Sequence, residues 1–123
     1  MSASRGPHPI NGYVSPPAQP RWKERFMSEF LDHLSVYYLC DAMASIHRLG
    51  PVEALGCVEA YETVRRHFLD TALAPFGTNE RAEQMRRAYL EFLGWQNANA
   101  VLAADLRAAA EARALALMPT ALR

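Results

Sequence analysis

From Pro75 the chain runs to Pro119 without another proline, and within that interval residues 79–118 hold one glycine, Gly94. Proline costs an α-helix interior about 3 kcal/mol and glycine about 1 kcal/mol. A stretch so free of both, with ten alanines between Ala98 and Ala116 and leucines and aromatics at spacings of three and four, predicts one long C-terminal helix. Whatever else the chain folds into has to be arranged around that rod.

Composition supports an all-helical reading of the remainder. Half of the 123 residues are apolar and 21% are charged, which is a globular balance, and β-branched residues are scarce beside alanine and leucine. This length fits one domain. Thirteen basic side chains balance thirteen acidic ones, and neither half of the chain hides an excess. A protein that binds nucleic acid by neutralising phosphates, or a membrane through a polybasic anchor, carries a basic face; none stands out, so neither partner is expected. No secretory signal is recognised, and the apolar run from Phe92 to Ala104 contains Gln96, Asn97 and Asn99 and is too short to span a bilayer. Cytoplasmic residence is the expectation by elimination.

Five of the eight prolines fall in residues 1–20, at 7, 9, 16, 17 and 20. Each removes a donor and restricts its predecessor, which predicts a disordered tail with polyproline-II bias ahead of a helical domain over 21–123. Pro17-Ala18-Gln19-Pro20 matches PxxP, a common string in such tails, and the plain tail is the preferred reading. A first helix is predicted over 22–49, with Phe26, Phe30, Leu34, Tyr37 and Asp41 on its inner stripe. Gly50 and Pro51 then provide a C′ stop and an N1 start. A second helix is predicted over 51–73, with Leu55, Val58, Tyr61, Arg65, Phe68, Leu69 and Ala72 inward and Glu62–Arg66 as a surface pair. Thr78 is the expected N-cap of the third, and Glu83–Arg87 its expected surface pair.

At about 1.5 Å per residue these helices would measure roughly 42, 34 and 60 Å. The expected fold is therefore an up-down-up three-helix bundle whose long C-terminal helix passes its neighbours near Val101. A face of Val101, Leu102, Leu106, Ala109, Ala110 and Leu117 would then lack cover from its own chain, which predicts a docking surface. The competing geometry is a bend around Gly94 and the asparagines after it, giving four helices and covering that tail internally.

Candidate chemistry is sparse. His33, Cys40 and His47 share one stripe, but successive members lie about 10.5 Å apart, so they cannot ligate one ion, and no metal or cofactor is expected. Cys40 and Cys57 occupy facing arms of the first hairpin, ten residues before Gly50 and seven after it. Buried free thiols are the expected state, with a redox pair as the alternative. Asp41 at an inward position needs a partner, and Tyr61 or Arg65 could supply one. Gln96 and Asn99 extend the apolar stripe of the last helix as amides that set register or a bend. A helix-turn-helix at Gly50 is disfavoured because the next helix opens Val52-Glu53-Ala54-Leu55, without donors for bases or phosphates. No nucleophile, base and oxyanion donor can be assembled, so no catalytic residues are assigned. The primary expectation is a non-catalytic interaction, assembly or accessory protein that docks on a protein partner or a second copy through its C-terminal helix. The alternative is a small-molecule-binding regulatory bundle with a site at Tyr37, Asp41, Gln96 and Asn99.

Overall fold

The structure is a computed structural model that describes residues 21–118, so the proline-rich segment 1–20 lies outside the described residues. The described part is all-α, a bundle of four helices: α1 (Arg21–Ile46), α2 (Pro51–Arg66), α3 (Asn79–Ala98) and α4 (Ala100–Leu117). None of these helices is long and apolar enough to cross a membrane.

The start of α2 forms as expected, but the end of α1 does not: α1 stops at Ile46, three residues before Leu49, and Gly50 is extended (φ −73°, ψ 169°) rather than a C′ stop. Gly50 is the N-cap of α2, Pro51 occupies its first turn, and the Glu53 carboxylate accepts the Gly50 N–H at 2.9 Å. That closes one of the donors a helix start leaves open. The short link sets α2 antiparallel to α1, so Cys40 faces Cys57, Asp41 faces Tyr61 and His33 faces His67. Helix α2 stops at Arg66, seven residues before the expected end. Its last carbonyls are taken by tight bonds from His67 to Val64, Phe68 to Arg65 and Leu69 to Arg66. This geometry ends a helix, and it lets Phe68 pack edge-on against Phe30.

The loop to α3 is held by a side chain. Gln84, buried in α3, accepts the Ala74 N–H at 2.8 Å and donates to the Ala72 carbonyl at 3.0 Å. Gly77 takes a left-handed φ of 87°, where an L side chain would be strained. Thr78 is the N-cap of α3, its hydroxyl accepting the Arg81 N–H at 3.2 Å. Glu62 lies 3.7 Å from Arg66, as expected, and also 3.2 Å from Arg81. Glu83 pairs with Arg86, one residue earlier than the expected Arg87.

The long rod is interrupted at Asn99, whose φ of −121° and ψ of 44° leave the helical region. Gly94 remains inside α3; the break comes five residues later, where the Asn99 side-chain amide bonds the Trp95 carbonyl at 2.9 Å. Such local bonding is why asparagine interrupts helices. Beyond it, α4 runs alongside α1 in the same direction: Leu106 and Ala110 neighbour Ser35 and Leu39, and Ala114 neighbours Ala42 and Ile46. The expected overhang is therefore absent. Trp95 stands level with Phe30, and α4 climbs beside α1 instead of extending past the first turn. The core draws on all four helices: Phe30, Leu34 and Tyr38 from α1, Val64 from α2, Phe92 from α3 and Ala110 from α4. Leu34, Val64 and Phe92 are fully enclosed, each worth about 1.5–3 kcal/mol of burial.

Candidate interaction surface

Helix α4 is apolar on both sides. Its inner face is made of alanines: Ala103, Ala110 and Ala114 are buried against α1, with Leu106 packed on the core. Small inward residues let two helix backbones approach closely. At 3.6 residues per turn, the opposite face carries Val101, Ala104, Ala108, Ala112 and Leu115, all exposed, with Ala109 and Ala116 beside them. Val101 is 78% exposed and Leu115 51%. Asp105 is the one charge within that stripe, while Arg107 and Glu111 border one edge and Arg113 the other. A helix apolar all round is normally covered all round.

The residues expected to form a docking face divide between the two sides. Leu106 and Ala110 face α1 and belong to the interior, whereas Val101, Leu102, Ala109 and Leu117 are exposed. The outward stripe of Ala104, Ala108, Ala112 and Leu115 was not singled out from sequence. In a helix with so many alanines, the leucines alone do not reveal which side turns inward. The spacing of four from Ala104 to Ala108 to Ala112 was the available signal.

The four residues proposed for a ligand site are engaged within the fold. Tyr37 sits edge-on to Tyr61 and Phe92 at ring distances of 4.8 and 5.2 Å. Burial, then the nearby Asp41, pushes the Tyr37 phenol up to about 12. Asp41 is exposed rather than inward and accepts the Tyr61 hydroxyl at 3.0 Å, which ties α1 to α2. That phenol too is raised, by burial first and the Asp41 bond second. Gln96 accepts from the Tyr38 hydroxyl and from Arg107 at 2.9 Å, and Arg107 lies 5.0 Å from the centre of the Tyr38 ring. Asn99 is spent on the helix break. The best-formed concavities of the described residues are lined by other side chains.

Cys40 and Cys57 are joined in a disulfide with Cα atoms 5.6 Å apart, which corrects the expectation of free thiols. The tight Gly50–Pro51 turn puts the two at one level, and helix rotation points both inward, with Ala60 packed against them. Sequence could supply the level but not the rotation.

A second cluster, not anticipated, surrounds His67. Its ring nitrogen lies 3.0 Å from that of His33, and Phe26 and Phe30 meet it edge-on at 5.2 and 5.1 Å. Burial, then His33, pushes the His67 pKa down, with Glu29 opposing in part. A notch of about 100 Å³ opens beside it, lined by Phe26, Met27, Phe30, Phe68 and Trp95. That is well below the roughly 300 Å³ at which small-molecule sites begin. Among the described residues no three His, Cys, Asp or Glu side chains converge on a metal position.

Comparison of the chain with known protein families, with curated proteins and with solved structures yields no match.

Proposed function

We propose that this chain is a non-catalytic interaction or assembly module that docks on a protein through the outer face of α4. The observation that carries this reading is the apolar outer stripe Val101–Ala104–Ala108–Ala112–Leu115, on a helix whose other side is already packed on α1. Removing apolar area of this kind from water is worth about 25 cal/mol per Å², and alanines add little side-chain entropy to the cost of ordering the contact. Other exposed apolar groups are mixed with charge. Val52, Leu55 and Val58 on α2 share their side with Glu59 and Glu62, and Leu90 and Leu93 on α3 share theirs with Glu83 and Arg86. Those patches fit a solvated surface better than a contact.

The disulfide bears on where the module works. Such cross-links persist in oxidising surroundings, so the closed α1–α2 hairpin fits an oxidising compartment better than the cytoplasm expected from sequence.

The test is a photo-reactive side chain placed at Ala108 and, as a control, at Leu55, with both proteins expressed and irradiated in the native host. Products from position 108 and none from 55 are expected. Absence of any product from position 108, with the protein folded, would contradict the docking reading.

A further inference from the structure

The charges along the edges of the α4 face specify an occupant. Asp105 and Arg113 stand four residues on either side of Ala109, and Arg107 and Glu111 stand two residues on either side. On a 3.6-residue turn, Asp105 and Arg113 lie toward one edge of the stripe, and Arg107 and Glu111 toward the other. In an antiparallel helix pair related by a two-fold axis, each edge meets the same edge of its partner. An axis at Ala109 therefore sets an acid opposite a base on both edges at once. Among the described residues, Asp105, Glu111 and Arg113 take part in no ion pair within the chain. Arg107 is already committed to Tyr38 and Gln96, so the Asp105–Arg113 edge carries most of the specificity.

We propose that the outer face of α4 is covered by the same face of a second copy of this chain, antiparallel, with Asp105 of each copy meeting Arg113 of the partner subunit. The proposal rests on the docking reading above and names its partner. In this register Ala108 falls about 3 Å along the axis from Ala108 of the partner subunit, and the alanines of the two helices interleave. Opposed helix dipoles favour the antiparallel pair over a parallel one. One helix of 18 residues per subunit gives a contact at or below the ~1,200 Å² end of the standard range, which fits a reversible dimer.

The experiment is sedimentation equilibrium on the full chain as wild type, Asp105→Arg, Arg113→Asp and the double variant. Both substituted positions are exposed, and the melting temperatures of all three variants are read alongside. Each single reversal should weaken the dimer about tenfold, since two symmetry-related attractions become repulsions. The double variant should return to within about threefold of wild type, because the pairs are re-formed with signs exchanged. Single reversals without effect, or a double variant weaker than either, would overturn the proposal. Oxidation of Ala108→Cys should give a copy-to-copy cross-link and Val101→Cys none; cross-linking of both would mean a parallel pair and would overturn the proposed arrangement. A wild type that stays monomeric at every concentration would also overturn it. In that case a photo-product from position 108 with a different protein would leave the docking reading standing, and no product would remove both.

Discussion

His67 occupies the C-cap position of α2, and its ring is pressed between Phe26 and Phe30 with His33 at hydrogen-bond distance. Burial first, and His33 second, favour its neutral form in the folded state. The unfolded chain therefore binds more protons as pH falls below the ordinary value of 6.5, and the native state loses stability there. Urea unfolding at a series of pH values should show stability constant above that value and declining below it, and His67→Phe should flatten the decline. A decline of unchanged slope in the variant would place its origin elsewhere. Tyr37 has the opposite window. Its pKa is raised to about 12, so its contribution is full below 10 and lost as pH rises toward 12. Gln84 is the other residue whose role is local and large. Truncation to Ala would orphan the buried Ala74 N–H and release the Ala72 carbonyl, at about 1–3 kcal/mol, readable as a shift in denaturant midpoint. Neither residue was legible in the sequence. A glutamine between two arginine-bearing turns and a histidine past a helix end have no pattern of their own, and only the fold gives them neighbours.

Among the elements, the starts of α2 and α3 were legible because Pro51 and Thr78 act within the first turn of each helix, although the Glu53 bond that closes the α2 start was not read from sequence. The end of α2 was not, because the apolar period continues through Phe68 and Leu69 while the backbone has already tightened. The helix break falls at Asn99, the last residue of the stretch from Gly94 in which a bend was the competing geometry. Gly94 is exposed inside α3, and a Cβ added there meets nothing within 4 Å, so Gly94→Ala should stabilise the protein by about 0.5–1 kcal/mol in thermal unfolding. Destabilisation would mean that the hinge extends back to that position. The α1–α2 hairpin carries a second prediction at this scale. Its disulfide closes a separation of 17 residues, and Cys40→Ser with Cys57→Ser should lower stability by about 2–3 kcal/mol while leaving helicity intact. Equal stability with and without reductant would contradict it.

For the molecule as a whole, the all-helical class followed from proline placement and period, but the count of three helices was one short, because Asn99 divides the last rod in two, and the relation of the last helix to the others was not legible. A 40-residue rod beside two shorter ones predicts an overhang only if it starts level with them, whereas Trp95 stands beside Phe30 and α4 therefore runs along α1 to the level of Ile46. That placement removes one reason for a docking surface and exposes another: the side of α4 turned away from α1 is also largely apolar, with Asp105 as its one charge. Both sides are built from alanine, which is why periodicity alone divided them wrongly. Sedimentation equilibrium of the wild type beside Ala108→Glu, over a wide concentration range, tests this most directly. The account predicts a mass rising from one chain to two in the wild type and remaining at one chain in the variant, with equal melting temperatures at low concentration. Identical masses for the two proteins across the range would contradict it.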